Sequence, residues 1–282
     1  MNALERWRRE LAGWVIPDEI LVAAPESPWG FPPELFRTRA ERTPAEPSAT
    51  TRIALEALAT GGDVLDVGVG GGATSLPLAA AASRITGVDE SAQMLAAFLG
   101  SAREAGVEAG TVEGRWPDSS PDTPTADVAV CGHVLYNVGE LEPFVRALDA
   151  HAGRRVVVEI TSAHPLAWMA DLWRRFHGLE RPTGPNADLA VAAIAELGIE
   201  VRREDEARVP RFRGFERRDD AIAFIRRRLC LSADRDAELV EALGERLMER
   251  DGLWAAGPLE HRIVTMWWNR PALDGLSLPE LR

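Results

Sequence analysis

The stretch VLDVGVGGGATS, Val64 to Ser75, constrains this chain more than any other. A short apolar run carrying one acid, Asp66, leads into Gly68, Gly70, Gly71 and Gly72, with Val69 the one side chain among them. Glycine at this density lets backbone approach a ligand with no Cβ in the way. If a helix follows, its free N–H groups point at negative charge. A plain strand-to-helix turn needs one or two glycines, so four argue for a bound group. The run GVGGGA also fits the dinucleotide fingerprint G-x-G-x-x-G/A, which expects an acid about 20 residues on to bond ribose hydroxyls. Asp89, in RITGVDES, stands there.

The surrounding pattern places that loop in an α/β sheet. Val64–Val67, Arg84–Val88, Val128–Cys131 and Val156–Ile160 are apolar runs of strand length. Their continuous hydrophobicity predicts strands covered on both faces. Helical patterns lie between them at Ala73–Ala82, Ala92–Ala105 and Leu141–Ala152, and a helix over Ala49–Ala59, capped by Thr50 or Thr51, precedes the first strand. This alternation predicts a Rossmann-like, doubly wound, mostly parallel sheet. Helices are expected near Leu166–Phe176 and Ala187–Leu197, and a charged strand at Ile199–Val209. Two arginine-rich helices, Asp219–Leu231 and Asp234–Arg250, and an antiparallel final strand, Arg262–Trp268, complete the reading. Residues 1–48, rich in proline, read as an N-terminal cap on a domain spanning 49–282, with a helical lid inserted at about 210–258.

Composition narrows the function. Against 44 acidic residues stand 32 basic ones, a net charge of −12, which argues against a nucleic-acid partner. Every basic residue is arginine, so lysine Schiff-base chemistry and a Walker phosphate loop are excluded. Cys131 and Cys230 form no disulfide framework or zinc pair, and the five histidines show no metal-ligand spacing with other ligating residues. No metal, membrane span or signal peptide is expected, and the cytoplasm is the expected compartment.

The ordered series VLDVGVGGG, ITGVDESAQML and ADVAVCGHVLYNV resembles class I S-adenosylmethionine-dependent methyltransferases, in particular the small-molecule, type 11-like group. The resemblance covers about Ala49 to Thr161. Asp66, two residues before the first glycine, and the VDESAQML run are its most specific parts. It implies that Gly68, Val69, Gly70 and Gly72 pass under the methionine part of S-adenosylmethionine, with Asp66 near its amino group. Asp89 would hold the ribose hydroxyls, with Glu90, Met94, Cys131 and His133 lining the pocket. Relatives often carry an acid for the adenine after the glycine of the next motif, where TVEGRWPD has Arg115. Trp116 stacking, backbone bonds from Gly114 and Arg115, or a purely structural Trp116 are the alternatives. The product would be S-adenosylhomocysteine.

In an open α/β sheet, ligands bind outside the carboxyl ends of the strands. That rule selects CGHVLYNV and EITSAH, hence His133, Tyr136 and His164 as candidate catalytic residues, with Glu159 facing the pocket or a backbone group. A hydroxyl acceptor wants its proton taken, which histidine suits. Trp7, Trp14, Trp29, Trp168 and Trp173, five of nine tryptophans, are placed to build an apolar chamber for a small molecule. The competing classes are an NAD(P)-dependent oxidoreductase and a non-catalytic S-adenosylmethionine-binding module. Against the first stands the absence of a Tyr-x-x-x-Lys pair in a chain without lysine. The sequence does not set the oligomeric state.

Overall fold

A computed structural model describes residues 1–29, 47–58, 61–208, 214–258 and 261–270. Its centre is a seven-stranded sheet in the order β3-β2-β1-β4-β5-β9-β6. The strands are β1 (Gly62–Val67), β2 (Ala82–Asp89), β3 (Glu108–Glu113), β4 (Ala126–Gly132), β5 (Ala152–Thr161), β6 (Arg202–Arg208) and β9 (His261–Asn269). The pairs from β3 to β5 are parallel, and β9 runs antiparallel to both its neighbours. The mostly parallel sheet with an antiparallel final strand is as the sequence predicts. Between β1 and β4 the strand order reverses, and it is there that such sheets open a crevice.

The central strands are apolar throughout because helices cover both faces. On one face Leu65, Val67, Ala129, Val156 and Val158 pack with α5 (Leu141–His151) and α7 (Ala187–Glu196). On the other, Val64, Ile85, Val128 and Val130 meet α3 (Ala49–Ala57) and α4 (Ala92–Ala105). Helix α3 is capped by Ser48, whose Oγ accepts from the Thr51 N–H, so the cap lies two or three residues earlier than expected. At the amino terminus, α1 (Ala3–Ala12) starts with a reciprocal Asn2–Glu5 capping box. A short α2 (Asp18–Ala23) follows. Most of the proline-rich remainder of the expected cap lies outside the described residues.

Three expectations fail locally. No α-helix follows the glycine loop: residues 71–81 form turns around a 3-10 helix, Leu76–Leu78. Pro77, in the middle of the expected run, has no N–H to give a helix, and β2 already begins at Ala82, the last residue of that run. Strand β3 was not among the expected strands, since EAGTVE is an edge strand with little apolar surface to bury. The helix expected over Asp234–Arg250 covers only α9 (Asp236–Leu243); Gly244, at φ 52°, ends it. A hairpin of β7 (Leu247–Arg250) and β8 (Leu253–Ala256) replaces the rest, joined by Asp251 and Gly252, both at positive φ. Asp-Gly is the residue pair that such a two-residue turn favours.

Together with α8 (Arg218–Arg228), α9 and the hairpin lie between β6 and β9 in the chain. Ile222, Ile225, Leu229 and Leu239 share a third apolar cluster with Ile16 and with Leu172, Trp173 and Phe176 of α6 (Ala170–His177). His177 Nε2 lies 2.7 Å from the Leu229 carbonyl, tying α6 to this excursion.

Candidate active site

The glycine loop leaves β1 at the crevice, and its four glycines differ in what they do. Gly68, Gly70 and Gly72 have φ of 74°, 50° and 82°, a region that side chains with a Cβ enter at a cost. A Cβ on Gly68 would stand 2.2 Å from Val134 Cγ2, and one on Gly72 would strike Leu76 and Phe98. These two glycines serve close packing. Around Gly70 and Gly71 nothing lies within 4 Å of where a Cβ would be, so here bare backbone borders open space. Val69 turns its side chain into the core beside Gly87.

Asp89, at the end of β2, braces this loop. One carboxylate oxygen accepts from the Gly70 N–H at 3.0 Å and the other from the Ser91 N–H at 2.9 Å. Ser91 in turn caps α4, which carries Met94, while Glu90 is exposed beside it. Gly114 follows β3 with its N–H on the Asp89 carbonyl, and Arg115 is exposed. Asp66 is fully buried in β1. Burial pushes the neighbouring Cys131 thiol up, and the Asp66 charge pushes it further the same way.

His133 follows β4, between two residues that border the loop. Its chain neighbours touch it on both sides: Gly132 lets Thr74 approach to where a Cβ would lie, and Val134 fills the space above Gly68. His133 itself has φ 61°, rare outside glycine, and its side chain is 51% exposed. It is fastened to the next strand: its N–H donates to the Glu159 carbonyl at 2.7 Å, and Nε2 lies 3.0 Å from Glu159 Oε1. Glu159 is buried, and its other oxygen accepts from the Thr50 hydroxyl, which lies 2.8 Å from Thr265 Oγ1. Glu159 therefore faces a site residue from within a buried polar cluster, as a carboxylate in an apolar strand must.

The other two catalytic candidates are packed inward. Tyr136 is buried, and its hydroxyl donates to the Thr161 carbonyl at 2.7 Å. Burial raises its pKa far above the usual phenol range. Its ring lies 5.7 Å from Trp7 and 5.1 Å from His164. His164 stacks on Trp14 at 4.1 Å, and burial pushes its pKa down to about 4, so the ring is neutral at physiological pH. Each is buried against aromatic neighbours, and the Tyr136 hydroxyl is spent on a backbone carbonyl. Trp116 belongs to the same kind of packing: its indole donates to the Phe144 carbonyl, and its ring meets His151 edge-on. Trp7, Trp14 and Trp173 are likewise buried, whereas Trp29 is exposed.

Two residues of this neighbourhood escaped the sequence reading, and Gly71, counted there among the loop glycines, was not among those placed under the cofactor. Thr50 was taken as a cap, and Thr265 lies opposite Glu159 only through the antiparallel register of β5 and β9.

Residues 64–152 match the family model described as a methyltransferase domain. Two solved structures share the fold. The YcgJ protein of Bacillus subtilis is 15% identical with a TM-score of 0.51, over 78% of this chain and 97% of its own. A protein of Bacillus halodurans C-125, proposed to be a methyltransferase, is 15% identical with a TM-score of 0.51, over 79% and 97%. None of the curated proteins matches the sequence. Residues 64–152 thus carry a methyltransferase domain, on a sheet that has the fold of these two structures. Its cofactor is S-adenosylmethionine. The residues present suit it: the open backbone at Gly70 and Gly71 is a cradle that any side chain would fill, with Asp89 fixed at its rim.

Proposed function

We propose that this enzyme methylates a small, partly apolar molecule held over the ends of β4 and β5. The observation that carries the reading is the juxtaposition of the open Gly70–Gly71 backbone with the half-exposed His133, whose two chain neighbours both touch the glycine loop. When bound, S-adenosylmethionine supplies a methyl group already activated by a sulfonium, so the chain's task is alignment and exclusion of water. Gly70 and Gly71 would hold the cofactor's methionine end, with Asp66 near its amino group, and Asp89 would hold the ribose. Gly114 and Arg115 supply backbone groups at the adenine end, since Trp116 is committed to the core. Of the N-terminal segment, residues 1–29 contribute to a cap, and the excursion over residues 214–258 contributes to a lid over the acceptor; residues 30–46 and 210–213 of the expected cap and lid lie outside the described residues.

A small molecule fits the charge better than a nucleic acid does: at −12 the chain repels a phosphate backbone. Among the described residues no helix is long and apolar enough to cross a membrane.

The test is thermal unfolding with S-adenosylmethionine, S-adenosylhomocysteine, NAD and NADP in parallel. A ligand at about 100 times its dissociation constant adds roughly 2.7 kcal/mol. Stabilisation by the two adenosyl sulfur compounds alone, followed by methyl transfer to small molecules of a cell extract, is the expected result. Methyl transfer confined to RNA, DNA or protein would overturn the small-molecule reading.

A further inference from the structure

The sheet end holds an imidazole and a carboxylate built as a unit, and alignment alone does not call for it. An ionised carboxylate acceptor has no proton to lose, and a free amine attacks without losing one in the transfer step. A hydroxyl needs its proton removed as the new bond forms. From this, and resting on the methyl-transfer reading above, we infer that the acceptor is a hydroxyl group and that His133 Nδ1 takes its proton, with Glu159 and Thr50 as positioning residues.

The geometry assigns each role. Nε2 is held against Glu159 Oε1 at 3.0 Å, so the neutral ring keeps its proton on that side and leaves Nδ1 as the acceptor. Glu159 cannot swing away: Thr50 donates to its second oxygen, and its own carbonyl holds the His133 N–H. Glu159 touches the ring, Asp66 lies by Cys131 on the neighbouring strands, and Glu206 reaches the start of α3, 3.5 Å from the Ala49 nitrogen. A left-handed histidine stores strain that its surroundings must hold, a pattern that clusters at active sites.

The step balances. The substrate O–H bond breaks and its proton passes to Nδ1. The oxygen's electron pair forms the O–CH3 bond as the C–S bond breaks, and the C–S electrons stay on sulfur, leaving S-adenosylhomocysteine neutral. The sulfonium's positive charge reappears on the imidazolium, beside a buried carboxylate that stabilises it.

The experiment supplies cofactor carrying a carbon-13 methyl to the full-length protein together with a small-molecule extract of its own cells. The carbon shift of the transferred methyl identifies the accepting atom. Label on oxygen is expected; label on nitrogen, sulfur or carbon overturns the hydroxyl assignment. No labelled product at all overturns the methyl-transfer reading itself. In the same assay, His133→Gln should lower the rate by about 100-fold or more while S-adenosylhomocysteine binding, read by calorimetry, stays within a few-fold. Retention of the rate by a folded His133→Gln protein overturns the base role. Glu159→Gln, which keeps a group for Thr50, should lower kcat while the KM for the acceptor and the affinity for S-adenosylhomocysteine stay within a few-fold. A kcat that Glu159→Gln leaves unchanged overturns the role of Glu159.

Discussion

His133 and Glu159 meet twice, backbone to backbone at 2.7 Å and side chain to side chain at 3.0 Å. The double contact holds a left-handed histidine in place, and that conformation costs a residue with a Cβ roughly 1–2 kcal/mol. Glycine has no such cost. His133→Gly should therefore be more stable than His133→Ala by about 1 kcal/mol in denaturant unfolding, although both lose methyl transfer. Equal stabilities would mean that the backbone there is unstrained.

The two kinds of glycine in the loop predict opposite phenotypes. Gly71→Ala adds a methyl to open space at ordinary φ, so its melting temperature should stay within a degree or two while S-adenosylhomocysteine affinity falls about tenfold, ~1.4 kcal/mol. Gly68→Ala drives a methyl into Val134 and should cost on the order of 1–3 kcal/mol of stability. Calorimetric titration and denaturant curves on the pair separate ligand cradle from packing joint.

Tyr136 makes its hydroxyl bond inside the protein. Tyr136→Phe should lose about 1 kcal/mol of stability, the net worth of one hydrogen bond, and keep the transfer rate within a few-fold. A hundredfold loss of rate in a folded variant would restore Tyr136 to the chemistry.

His164 sets an acid limit on the fold. Its pKa falls from 6.5 in the unfolded chain to about 4 in the folded one, so between those values the unfolded state binds more protons. Stability then rises with pH: this contribution is complete above about 6.5 and is lost as pH falls towards 4, up to about 3 kcal/mol at ~1.4 kcal/mol per pH unit. His164→Phe keeps a ring for Trp14 and should flatten that part of the stability profile. An unchanged slope between pH 4 and 6.5 would show that other groups carry it.

Much of this architecture was legible because the central strands are buried on both faces and so read as unbroken apolar runs. Strand β3 was not, because an edge strand needs no such run. The helix read over Ala73–Ala82 had the right composition, but Pro77 and the short path to β2 decided against it. At the site, strand ends pointed to His133, Tyr136 and His164 alike. Only packing separates them: rings from the N-terminal segment cover the last two, and a sequence does not show which side chain a distant tryptophan will cover. The Thr50–Glu159 bond spans 109 positions and is equally invisible there.

The ring contacts running from Trp7 to Tyr136, on to His164 and then Trp14 bear on how such an enzyme could be re-engineered. Two of the four come from the amino-terminal segment and two from the loops after β4 and β5, and each end is also pinned through an indole N–H, to Val138 and to Gly184. The segment and those loops thus form one mechanical unit. Grafting a relative's amino terminus to gain a new acceptor would leave half of this interlock without its counterpart, so a working chimera must carry the two strand-end loops with it.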